Sequence, residues 1–172
     1  MTDIVIPAPL WRRFAAALYD GLIFIAIWAI VVQAFTLVRL AIGAEDHPTL
    51  LRALVFSAGL LFFGWFWTHG GQTVGMRAWR LQVRRSDGTP LRWPVAATRY
   101  ALMLLWASVL LTPPVMLMLP SRINFPNRHQ MAIGAAILAM IGLIAQKRDG
   151  RRRAPHDWLS NTEVVQIPKR PA

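Results

Sequence analysis

The sequence predicts an all-α membrane protein: four transmembrane helices with a small cytoplasmic β-hairpin or strand element. Three observations predict it. Hydrophobic residues make up 55% of the 172, and charged residues only 16%, where a soluble domain carries about a quarter charged. The apolar residues fall in four blocks, which suggests one compact bundle. The lysines and arginines flank those blocks unevenly, as the threading of a multi-pass membrane protein requires.

Composition also narrows the chemistry. There are no cysteines, so disulfides, thiolate catalysis and Cys-based metal centres are excluded. The net charge of +11 would suggest nucleic acid in a soluble protein. Here no aromatic interleaving accompanies the arginines, so nucleic acid is not expected as a partner. The lipid bilayer and its anionic head groups are.

In chain order, residues 1–10, with Pro7 and Pro9, read as an irregular N-terminal cytoplasmic tail. The first helix is expected over 13–40. Its apolar run is longer than a signal-peptide core and carries Asp20, so it reads as a retained helix. A helix over 50–67 follows, with Gly59 and Gly64 thinning it for close approach and Trp65 and Trp67 marking an interface. The polar stretch 69–94 opens with Gly70-Gly71-Gln72-Thr73-Val74-Gly75, which ends the helix. Residues 79–84 alternate apolar and polar with period two, as a half-buried strand does. Asp87-Gly88 is a strong hairpin signal, with 89–93 as the return strand, its pairing limited by Pro90.

The third helix is expected over 95–119, broken or kinked at Pro113-Pro114. Residues 121–130 read as a polar loop. The fourth helix, 131–145, is short, about 22 Å at helical rise. Its Gly134, Ala135, Ala139 and Gly142 make a small-residue face that suits tight packing, either inside the chain or in a homo-oligomer. Residues 161–166 read as a strand able to join the hairpin. The domain layout is a tail at 1–10, a membrane domain at 11–167 and a C-terminal tail at 168–172.

The basic residues set the threading. Fourteen of the 19 lie in the N-terminal segment, the middle polar stretch and the C-terminal tail. Only Arg39, Arg52, Arg122 and Arg128 lie on the other side, and Arg99 lies within the third helix. Positive-inside threading then places both termini in the cytoplasm of a bacterial inner (plasma) membrane.

Asp20 is the residue to explain, since an ionised group at membrane depth costs roughly 2.5–3.5 kcal/mol. Arg13 lies seven residues earlier on the same helix face. Helical side chains lean toward the N-terminus, so Arg13 points away from Asp20. The expected partners are Arg99, or the side chains of Gln72 and Thr73, for Asp20, and Asp157 for Arg13. His156-Asp157 is too small a cluster to imply a metal, and His47, His69 and His129 are scattered over the loops. No metal, cofactor or catalytic residue is expected, and the chain does not read as an enzyme. The glycines at 70, 71 and 75 lack the strand and acidic residue of a dinucleotide fingerprint.

Three segments carry a resemblance. They are Arg13-Phe14-Ala15-Ala16-Ala17-Leu18-Tyr19-Asp20, then Gly71-Gln72-Thr73-Val74-Gly75, then His156-Asp157-Trp158-Leu159-Ser160-Asn161-Thr162 with Val164-Val165. Together they resemble the RDD family of bacterial membrane proteins, named for one arginine and two aspartates. Tyr19 stands where an aliphatic residue is usual and Asn161 where glycine is usual. The resemblance implies a membrane location, a site at Arg13, Asp20 and Asp157, and a role in transport.

Two functions are weighed. The first is transport-related, moving protons, cations or small solutes with Asp20 as the embedded carboxylate. Four helices leave little room for a pathway, so such a transporter is expected to be a homo-oligomer. The second is a non-transporting membrane scaffold or assembly module that contacts lipid head groups or a partner complex.

Overall fold

The computed structural model describes residues 6–120 and 126–168. In chain order the elements are β1 (Ile6–Pro7), α1 (Leu10–Ala41), α2 (Pro48–Thr68), α3 (Val74–Ala78), β2 (Leu81–Arg85), α4 (Trp93–Met118), α5 (Arg128–Arg148), α6 (Pro155–Leu159) and β3 (Thr162–Gln166). The four long helices are each long and apolar enough to cross a membrane. Parts of three expected segments lie outside the described residues: 1–5 of the N-terminal tail, 121–125 of the polar loop with Arg122, and 169–172 at the C-terminus.

The long helices run two to three residues past most of the expected ends. Pro48 and Pro94 sit in the first turns of α2 and α4, where the missing N–H has no intrahelical partner to lose. Arg128 and Arg148 continue α5 beyond its apolar run, because arginine is a good helix former. Of the break or kink expected at Pro113-Pro114, no break occurs: α4 runs through both prolines to Met118. A helix in lipid keeps its form where one in water would fray, because an unwound backbone there finds no hydrogen-bond partner.

The long helices pack on one another in chain order. α1 packs on α2, α2 on α4, and α4 on α5. Glycines set the spacing. A Cβ at Gly59 would meet the Tyr100 hydroxyl at 2.1 Å and Phe24 at 2.8 Å, and one at Gly142 would meet Trp106 at 2.2 Å. Gly142 therefore brings α5 against α4 inside the chain, with Ala135 and Ala139 partly buried, whereas Gly134 of the same expected small-residue face is exposed with nothing within 4 Å of a Cβ. Away from these seams the helices expose Leu, Ile and Met side chains, as suits a surface solvated by acyl chains, which are as apolar as leucine.

The buried core lies where the helices meet a sheet. Ala16, Phe63, Trp67, Ala96 and Tyr100 pack there with Leu81, Val83 and Val164. The sheet order is β1-β3-β2, antiparallel throughout. The expected hairpin does not close. Asp87-Gly88 does turn the chain, with Gly88 at φ +83° and Thr89 bonded to the Asp87 carboxylate. The return strand is absent, and β2 pairs instead with β3, from Leu81↔Gln166 to Arg85↔Thr162. β3 offers five paired positions with buried Val164 and Val165, whereas Pro90 has no N–H to give a ladder. Arg84 and Glu163 face each other in this register and bond at 2.9 Å. The stretch read as an irregular tail supplies β1, which pairs Ile6 and Pro7 with Gln166 and Val165.

β3 is entered through Asn161, at φ +51°. That conformation favours glycine and, after it, asparagine, so this departure from the family pattern fits the backbone. Asn161→Gly is expected to keep the melting temperature in detergent within about 4 °C of wild type. Asn161→Val should cost about 1–2 kcal/mol. Equal stability of the two variants would contradict the assignment.

Candidate functional site

Two carboxylates organise the junction between helices and sheet. The first is Asp157, on the one-turn helix α6, with its side chain fully buried. Its position three residues after Ala154 lets one carboxylate oxygen accept the Ala154 N–H at 2.8 Å, satisfying a donor that the helix start leaves open. The same oxygen accepts from Arg13 on α1, and the other accepts from Arg99 on α4. Arg13 also donates to the Arg152 carbonyl at 2.6 Å. Arg99 also donates to the Thr162 hydroxyl on β3 and lies 5.1 Å from the centre of the Trp67 ring, a cation–π contact. One buried acid thus ties α1, α4, α6 and the start of β3 together.

The charge states follow from this geometry. Burial by itself would raise the Asp157 carboxyl. The guanidiniums of Arg99 and Arg13 outweigh it and hold the group well below the usual carboxylate range. His156, whose Nε2 lies 3.4 Å from Asp157, behaves oppositely. Burial, with Arg99 and Arg13 adding to it against Asp157, pushes its imidazole down to about 3. His156 is therefore neutral at physiological pH. Between pH 6.5 and 3 the unfolded chain binds a proton there that the folded chain refuses. Stability should then fall with pH across that window, by up to about 1.4 kcal/mol per unit. Melting in detergent from pH 7.5 to 4.5 checks this: His156→Phe should flatten the slope, and an unchanged slope would contradict it.

The second carboxylate is Asp20, two turns further along α1 than Arg13 and 5% exposed. Thr73 donates its hydroxyl to one oxygen, and the Gly75 N–H donates to the other at 2.8 Å. The Thr73 hydroxyl in turn accepts the Met76 N–H at 3.2 Å. Thr73 is the N-cap of α3, so Asp20 sits at the positive end of that short helix, against open N–H groups. Gly75 is what permits the approach. A Cβ there would lie 2.3 Å from the Ala16 carbonyl oxygen and 3.0 Å from the Asp20 carboxyl carbon.

The expected pairs are thus partly rearranged. Arg13 meets Asp157, and Asp20 meets Thr73. Arg99 does not pair with Asp20, whose oxygens are taken by Thr73 and Gly75; it joins Asp157 and Thr162 instead. Gln72 also turns elsewhere, donating to the Leu81 carbonyl at 2.7 Å. Trp67, read as an interface marker, is buried beneath Arg99, whereas Trp65 is exposed and stacks on His69. Gly75 and Thr162 were not singled out from the sequence, although both lie in the segments that carry the resemblance. The basic run is partly committed within the fold: Arg153 pairs with Asp149, Arg151 with Glu163, and Arg152 lends its carbonyl to Arg13.

A family model described as the RDD family matches residues 7–161. The chain belongs to the RDD family. No curated protein and no solved structure matches it. The residues that mark this RDD chain therefore divide in two. Arg13 and Asp157 join Arg99 in a closed ion cluster, while Asp20 stands apart with neutral donors. Among the described residues no group of three or more His, Asp or Glu side chains is placed to hold a metal ion.

Proposed function

We propose that this RDD-family membrane protein is transport-related, moving protons, cations or small solutes, and that Asp20 is the carboxylate that takes up the proton or cation. One observation carries the reading. Asp20 is buried, yet among the described residues it forms no salt bridge and only neutral groups donate to it. Asp157, by contrast, has two arginines. A buried charge without a counter-ion is costly, and a proton or a cargo cation would complete it. Ionisable groups at membrane depth commonly serve ion and proton pathways. The basic-residue count supports a bacterial inner-membrane location with both termini and the sheet in the cytoplasm, facing anionic lipid.

A second reading is a membrane scaffold whose sheet end contacts head groups or a partner complex. The seating of Asp20 on α3 favours it, because that contact also holds the polar segment to α1. Asp20→Asn separates the two. Asparagine has nearly the same shape and can still accept the Gly75 N–H, so the fold should survive. In everted membrane vesicles, sodium, lithium or potassium added to wild type is expected to dequench a pH-sensitive dye. Asp20→Asn, at matched expression and melting temperature, should abolish that signal. A signal that persists in Asp20→Asn would remove Asp20 from the transport step. No signal from either protein with any of the cations would favour the scaffold.

A further inference from the structure

The lipid-facing side of α1 carries one residue that neither the ion cluster nor the Asp20 seat uses. Gln33 is exposed, and no hydrogen bond to it is formed among the described residues. It lies nine residues, or two and a half turns, beyond Phe24. Phe24 packs against Gly59 of α2, so Gln33 points directly away from the rest of the chain. It also lies deep. Arg39, in the last turn of α1, is six residues further on, about 9 Å along the axis. That is farther than a glutamine side chain extends. Acyl chains offer no donor or acceptor, so a primary amide at this depth needs a protein partner.

We propose that two copies of this chain pair through α1, with the Gln33 amides hydrogen-bonded to each other across the contact. A primary amide both donates and accepts, so it is complementary to itself. A two-fold axis along the membrane normal brings residue 33 of one copy to residue 33 of the other at the same depth. An unrelated partner would need a matching polar group at that level. The neighbours fit as well. Ala26 and Ala29 flank Gln33 on the same face and allow close approach, with exposed Leu22, Ile30 and Leu37 beside them. Among the long helices α1 packs chiefly on α2, and Ala26, Ala29 and Gln33 are all exposed, so nothing in the described chain covers this face. The proposal does not rest on the transport reading.

The chain has no cysteine, so single-cysteine reporters give clean cross-links. Ala29→Cys and Leu37→Cys lie on the Gln33 face. Val38→Cys is also exposed but lies about 100° from Leu37. On oxidation in native membranes, Ala29→Cys and Leu37→Cys are expected to give a disulfide dimer of twice the chain mass, and Val38→Cys not. Adding Gln33→Leu to Ala29→Cys should lower the dimer fraction about fivefold or more, while Gln33→Asn keeps most of it. Gln33→Leu faces away from the packed core, so the monomer should fold normally. No dimer from either reporter, a dimer fraction indifferent to Gln33→Leu, equal cross-linking from Val38→Cys, or adducts of another mass would each overturn the proposal.

Discussion

Asp157→Ala is expected to destabilise the protein by about 3–5 kcal/mol, because it leaves buried cations without their counter-charge. Arg99 is 2% exposed and the Arg13 side chain 12%, so neither guanidinium gains water when the carboxylate goes. The Ala154 N–H loses its acceptor as well. A loss of this size is a large part of an ordinary fold's stability, and the effect should spread because the cluster joins α1, α4, α6 and β3. Unfolding in detergent measures it. The double variant Asp157→Leu with Arg99→Leu should lose less than the sum of the two single changes, since it removes the charge and its partner together. Simple additivity would show that the two do not act as a pair.

Gly75→Ala should be nearly as damaging, at about 2–4 kcal/mol. The new methyl would lie 2.3 Å from the Ala16 carbonyl oxygen. That neighbour is backbone inside α1 and cannot rotate aside. α3 must then withdraw from α1, which breaks the hydrogen bonds from Gly75 and Thr73 to Asp20 and leaves a buried carboxylate with no donor. Gly134→Ala is the control. Nothing lies within 4 Å of a Cβ there, and alanine favours the helix, so stability should hold or rise slightly. Similar losses at both positions would show that the tight contact of α3 with α1 does not hold.

The parts of this structure that were legible in the sequence are those set by local periodicity. Four apolar runs gave four helices, and 161–166 gave β3. The lean of helical side chains turned Arg13 away from Asp20, Asp157 was the partner named for it, and Thr73 was one of the partners named for Asp20. What failed depended on which elements are neighbours in space. Hydropathy does not say that α3 seats Asp20 while Asp157 and Thr162 come to Arg99, so Arg99 was placed with Asp20. The Asp87-Gly88 signal describes a turn but does not choose the partner of β2, and the distant β3 outcompeted a proline-bearing return strand. β1 pairs only two residues, and α3 and α6 are single turns, all too short for a periodic pattern. Trp67 shows the same limit: a tryptophan near a helix end reads as an interface anchor until the arginine above it is known.

The two aspartates differ in kind: Asp157 is held as an anion between two arginines, whereas only neutral groups donate to Asp20, the carboxylate proposed above to take up a proton or cation. A hydrophobic carbodiimide reacts with buried carboxyls that carry a proton, and the modified residue is located by peptide mass spectrometry. Treatment of native membranes at pH 7 is the most direct measurement of that difference. The expected result is label on Asp20, falling as pH rises, and none on Asp157. Label on Asp157, or an Asp20 that stays unmodified while remaining buried, would contradict it.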